Sequence, residues 1–109
     1  MLGLIDVRGR WRRALLAWAD GRADRTTLVD WVQGPSFYAD LRSPAARPDF
    51  TGVAGLTDLT PAQVEWLGGQ EGFAGRLGFD GAFFEWGRAL DYQPPGPFLD
   101  AGSLRMEGV

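Results

Sequence analysis

The chain contains no cysteine, no histidine, no lysine and no asparagine. Without cysteine there is no disulfide framework and no thiol nucleophile; without histidine as well, a conventional zinc site and a Ser-His-Asp triad are excluded. The lack of lysine removes Schiff-base chemistry and the Walker-type phosphate loop. All 11 basic residues are arginine, so any catalysis would have to rest on carboxylates, Arg, Tyr or three serines. Absent Lys and Asn beside abundant Ala, Gly and Arg points first to a GC-rich coding sequence. Zero cysteine permits a reducing compartment, and a cytoplasmic location is the expectation.

Long apolar runs are missing too. Leu2 to Ile5 is interrupted by Asp6 and is far too short for a signal-peptide core, and no run approaches the roughly 18 apolar residues of a membrane helix. A net charge of -3 and a pI near 4.8 give no basic field to attract a phosphate backbone. Neither a membrane nor nucleic acid is therefore an expected partner. The cluster Arg8, Arg10, Arg12, Arg13 is the exception, and it reads as a solvated strand face with long stems lying over apolar surface. No motif for a cofactor or a metal is present, and none is expected.

What remains is a chain of 109 residues, 45% hydrophobic and 13% aromatic, too apolar for disorder and sized for a single domain, 1–109. Its strongest signal is Thr26 to Arg42, two β-rich runs joined at Gly34-Pro35. Side chains alternate along a strand. Thr27, Val29, Trp31 and Gln33 therefore share one face, and after the turn Tyr38, Asp40 and Arg42 do the same. Neither run has a purely apolar face, which suits a small barrel with fixed polar groups inside.

Upstream, Trp11 to Ala19 is predicted as the first strand, with a helix as the alternative spacing. Downstream, Pro44 and Pro48 end pairing and mark a loop. Thr60-Pro61-Ala62-Gln63 announces a short helix over about 61–68, with Thr60 as cap, Pro61 in the first turn, Gln63 closing a capping box, and Val64 and Leu67 turned to the sheet. A strand then ends at Phe79, with glycines at 72, 75 and 78 as candidate bulges or bends. Asp80-Gly81 signals a hairpin, and a long return strand alternates from Ala82 to Tyr92. Pro94 to Pro97 forms an extended loop, and Ser103 to Glu107 reads as a last short strand.

Gly9-Arg10-Trp11-Arg12-Arg13, Thr27 to Gln33 with Tyr38 to Arg42, Gln70 to Gly75, and Trp86 to Pro94 together resemble bacterial lipocalin-like proteins of the calycin type, a group related to a fungal casein-kinase-interacting protein. Gly9-x-Trp11 is similar to the G-x-W of lipocalin first strands, where the Trp closes one end of the barrel. The resemblance implies a mainly β fold: an antiparallel up-and-down calycin-like barrel with one short helix. Six or seven strands can be counted, against about eight in such a barrel. An incomplete barrel, shortened toward its C-terminal end, or one whose open edge a second copy covers, is therefore expected.

The candidate ligand-binding residues are Trp31, Gln33, Tyr38, Asp40, Arg42, Glu71, Trp86 and Arg88, with Gln70 and Asp91 beside them. Arg88 is expected to meet Asp40 or Glu71, and Arg42 or Arg88 to anchor a ligand carboxylate while tryptophans cover an apolar body. The same residues also read as internal ion pairs and barrel-end plugs. Glu71 with Asp40 could in principle serve as general acid and base, but nothing in the spacing selects them from 14 acidic residues, so no catalytic residue is assigned and an enzyme is not expected. The expected function is non-enzymatic binding of a small hydrophobic or carboxylate ligand. The alternative is an interaction or assembly module with a filled interior that forms a homodimer through an edge strand.

Overall fold

Alternation of bulky apolar residues with charged or small ones makes this chain a sheet, and the sheet curls. A computed structural model describes residues 2–107. In chain order it contains β1 (Gly9–Arg12), β2 (Leu16–Ala17), β3 (Ala23–Asp24), β4 (Leu28–Gln33), β5 (Phe37–Ser43), the helix α1 (Pro61–Gly68), β6 (Glu71–Phe79), β7 (Phe84–Trp86), β8 (Leu90–Asp91) and β9 (Ala101–Gly102). Seven strands form one antiparallel sheet in the order β1-β4-β5-β6-β7-β9, with β8 also on β6. The sheet closes into a half-barrel. No helix of the described residues is long and apolar enough to cross a membrane.

The degree of curl can be read from two indoles. Trp31 lies on β4 and Trp86 on β7, with β5 and β6 between them. In a flat sheet three strand spacings would hold them roughly 14 Å apart. Their ring centroids are 5.6 Å apart, edge to face. The concave face packs Tyr38, Phe73, Leu77 and Phe84 into a core. A 3-10 turn at Leu4–Val7 plugs one end of it, and Val7 offers its carbonyl to the Trp11 indole N–H at 2.8 Å.

The predicted first strand is broken. Its ladder to β4 runs from Gly9 to Arg12 and is continued by the Arg13 amide on the Val29 carbonyl. The chain then leaves the sheet to form the separate β2-β3 hairpin, turned at Gly21, whose φ of 94° suits glycine. The turn captures pairing that an uninterrupted Trp11 to Ala19 strand would have given to β4.

The helix starts as its sequence implies. The Thr60 hydroxyl accepts from the Gln63 amide, and the Gln63 side chain accepts from the Thr60 amide at 2.7 Å. The face that fastens it differs from the prediction: Val64 is exposed and Gln63 is buried. Its anchor is the 44–60 loop, because Gln63 Nε2 donates to the Asp49 carbonyl at 2.8 Å and Trp66 Nε1 to the Pro44 carbonyl at 3.0 Å. A helix of two turns is held by such tertiary contacts and not by propensity.

The long return strand is also divided, and its division reverses the pattern of faces. Trp86 lies opposite Leu77 on the concave side. Five residues later Asp91 lies opposite Phe73 on that same side, and Leu90 faces outward opposite Ala74. An odd separation between two inward residues requires a bulge. It is centred on Gly87, whose amide donates to the Arg76 carbonyl at 2.9 Å. Gly75 allows this approach, since a Cβ there would lie 1.9 Å from the Gly87 oxygen. Uniform alternation from Ala82 to Tyr92 is therefore replaced by two short strands.

At the C-terminal end, pairing with β7 occurs at Ala101–Gly102 and not over Ser103 to Glu107. The segment beyond β9 instead brings Leu104 against the core.

Candidate functional site

Antiparallel register arranges the concave face in rows, because residues directly opposite one another point the same way. The central row, across β1, β4, β5, β6 and β8, is Trp11, Trp31, Asp40, Phe73 and Asp91. The row toward one end is Arg13, Val29, Arg42 and Glu71. The row toward the other is Gly9, Gln33, Tyr38 and Gly75. These rows place chemistry that the linear sequence scatters over more than 80 positions.

Between the β1 side and the β7-β9 side lies an open cavity of about 440 Å³, within the range of small-ligand sites. Trp11, Trp31 and Trp86 form its aromatic wall, with Val29, Phe73 and Leu104 completing the apolar surface. Trp11 and Trp31 stack with centroids 6.0 Å apart, and Trp86 closes edge-on against Trp31. Trp31 is fixed from behind, its N–H donating to Gln33 Oε1 at 3.1 Å.

The charged floor is Asp40 with Arg42. Arg42 Nε donates to Asp40 Oδ1 at 2.9 Å and a terminal nitrogen to Oδ2 at 3.4 Å. The Asp40 side chain is 6% exposed and that of Arg42 25%, so the carboxylate is buried and the guanidinium reaches the cavity. Arg42 also lies over the Phe73 ring, 5.1 Å from its centroid.

Of the residues predicted from sequence, Trp31, Asp40, Arg42 and Trp86 line this cavity together. Gln33 and Tyr38 are buried but serve the frame. Gln33 Nε2 donates to the Gly34 and Phe37 carbonyls across the β4-β5 turn, and the Tyr38 hydroxyl donates to the Gly87 carbonyl at 3.1 Å, holding the bulge. Burial pushes the Tyr38 phenol up to about 12. Glu71 lies opposite Arg42 without lining the cavity. Gln70 contributes its carbonyl, which accepts from Gln93 Nε2 at 2.7 Å.

Arg88 does not meet Asp40 or Glu71. It lies 3.6 Å from the Phe73 ring centroid and donates to Asp91 at 3.3 Å and Asp100 at 2.8 Å. The bulge at Gly87 is the reason: it turns Asp91 inward and within reach of Arg88. This triad borders a smaller recess of about 280 Å³ with Pro95, Phe98 and Leu99.

Several lining residues lie outside the predicted set, among them Arg13, Phe73 and Asp100. In the sequence, Arg13 reads with its arginine neighbours as a solvated face. Its spacing of two from Trp11 was the available signal, since it assigns Arg13 to the inward side while Arg10 and Arg12 project outward to share Asp30 Oδ1. Arg13 donates to Asp24 Oδ2 at 2.9 Å, and its side chain is 18% exposed. The Asp24 carboxyl is lowered to about 2 by the Thr27 side chain and the Thr26 and Thr27 amides.

Compared with known proteins, the chain matches no family model, no curated protein and no solved structure. The cavity must therefore be read on its own chemistry.

Proposed function

We propose that the chain is a lipocalin-like binder of a small, mainly apolar molecule, without catalytic activity, and that the ligand lies against Trp11, Trp31 and Trp86. The observation that carries this reading is the cavity of about 440 Å³ walled by three indoles, of which Trp31 touches both Trp11 and Trp86. Indoles offer flat apolar area at low cost in conformational entropy. The polar groups beside them are few and held in place, as in a site that orients a ligand and does not transform it. Asp40 is already neutralised by Arg42, which leaves no free acid and base pair at the aromatic wall.

Native mass spectrometry of the purified chain tests this reading. An added mass lost on denaturation, whose retention falls in a Trp31→Ala variant, is the expected result. A bare protein whose tryptophan emission is unchanged by a panel of small aromatic and aliphatic molecules would overturn it.

One observation favours a second reading, an assembly module. The convex face carries Val32, Leu41, Leu90 and Tyr92, all exposed, around an apolar depression with Ala39 and Ala74. Contiguous apolar surface of this kind often marks a protein interface. A discrete dimer in the same mass spectrum, abolished by Leu41→Asp, would support it. Pairing through β1 is disfavoured, since two copies would bring Arg10 and Arg12 against their equivalents.

A further inference from the structure

The end row of the concave face contains two arginines on either side of one valine. Arg13 continues β1 opposite Val29, and Val29 lies opposite Arg42 on β5. Both guanidiniums line the same cavity as the three indoles. Each is held by a carboxylate behind it, Arg13 by Asp24 and Arg42 by Asp40.

The balance of donors and acceptors decides what such a wall can receive. A guanidinium carries five N–H groups. Arg13 gives one hydrogen bond to Asp24, and Arg42 gives two to Asp40. The two carboxylates have little left to offer. Asp24 Oδ1 already accepts from Thr26 and Thr27, and both Asp40 oxygens face Arg42. The other charged group turned to the cavity, Asp100, is engaged with Arg88, while Arg12 directs its guanidinium outward to Asp30. Glu71, opposite Arg42 in the same row, does not line the cavity, so around Val29 the N–H donors outnumber the acceptors that face them. A ligand group placed there must accept hydrogen bonds, and two oxygens in one plane match the guanidinium fork best.

Building on the small-ligand reading, we infer that the ligand is an amphiphile with a carboxylate head, which sits over Val29 between Arg13 and Arg42 while its apolar body lies on Trp11, Trp31 and Trp86. Arg88 is not part of this anchor: its donors are directed to Asp91 and Asp100, and it borders the neighbouring recess.

The experiment is calorimetric titration of the intact chain with three probes of one shape: 2-naphthoate, 2-naphthamide and 2-naphthylmethylamine. The acid is expected to bind about tenfold more tightly than the amide, the scale of one charge-assisted pair, and the amine more weakly still. Arg13→Gln should weaken the acid more than the amide and so shrink the acid preference severalfold, and Arg13→Lys should restore part of it. Arg13 suits this test because Asp24 keeps its threonine donors when the arginine is gone. Equal binding of acid and amide to the parent protein would overturn the carboxylate assignment while leaving the small-ligand reading in place. Preference for the amine, or an acid preference that Arg13→Gln does not change, would overturn it equally. Failure of all three probes to bind would overturn both.

Discussion

Trp31 and Trp86 meet edge to face at 5.6 Å across the concave side of a sheet in which two other strands separate them. This contact stands in for the strands that would close a full barrel, and Phe84, with its ring 6.5 Å from Trp86, extends it into the core. Phe84 is 1% exposed while Trp86 is half-buried. Phe84→Ala should cost about 3–5 kcal/mol and Trp86→Ala less, about 2–3 kcal/mol. Urea denaturation of both variants is the check. An unchanged midpoint for Trp86→Ala would show that the indole pair does not hold the curl.

Gly75 and Gly78 lie on the same strand and should respond in opposite ways. A Cβ on Gly75 would meet the Gly87 oxygen at 1.9 Å, whereas one on Gly78 finds ordinary contact at 3.8 Å. Gly75→Ala should destabilise by about 1–3 kcal/mol through forced separation of β6 from the bulge, and Gly78→Ala should stay within about 0.5 kcal/mol. Thermal melts of the two variants decide the matter, and equal effects would remove the close approach as the explanation.

The Asp40-Arg42 pair should be worth little as a pair and much as an obligation. Arg42→Met leaves a buried carboxylate without its partner and is expected to cost about 3–5 kcal/mol, while Asp40→Leu combined with Arg42→Met should recover most of that loss. Denaturant midpoints of the single and double variants give the coupling. Additive losses would mean that the two charges are solvated independently.

Stability should fall at both ends of the pH scale, for different reasons. The Asp24 carboxyl is held at about 2, below its unfolded value near 3.9. Its contribution is therefore complete above about pH 4 and is lost as pH falls through about 2. The Tyr38 phenol is raised to about 12 by burial, above the unfolded value of about 10. Its contribution is complete below about pH 10 and is lost as pH rises toward 12. Asp24→Asn should flatten the acid limb of a stability profile and Tyr38→Phe the alkaline limb; a limb that keeps its slope in the matching variant has another origin.

Gln63 should matter more than the exposed helix residues around it. Its side chain accepts from the Thr60 amide and donates to the Asp49 carbonyl, so Gln63→Ala strands two backbone groups. A loss of about 1–3 kcal/mol is expected, against about 1 kcal/mol for Thr60→Ala. Circular-dichroism melts compare them, and a loss for Gln63→Ala no larger than that for Thr60→Ala would count against the tie to the loop.

Local chemistry was legible in this sequence, and long-range register was not. The Thr60 cap, the Asp80-Gly81 turn and the inward set Val29, Trp31, Gln33, Tyr38, Asp40 and Arg42 each depend on neighbours within a few positions, and the structure reproduces them. The partner of Arg88 depends on a bulge that preserves hydrophobic alternation in the text of the sequence while inverting it in space. The inward turn of Arg13 was hidden because a run of arginines reads as solvated surface until β1 is paired with β4. Arg42 and Asp40 could be placed on one face by parity alone, whereas the join between Trp31 and Trp86 required the curl of the whole sheet.

The bulge at Gly87 also carries a consequence for how such a cavity can diversify. Because the spacing from Trp86 to Asp91 is odd, loss or gain of one residue at the bulge would exchange Leu90 for Asp91 on the concave side. The polarity of that wall is stored as a count of residues, not as their identities. An insertion or deletion, ordinarily the most disruptive kind of sequence change within a sheet, is here the shortest path from a charged lining to a greasy one.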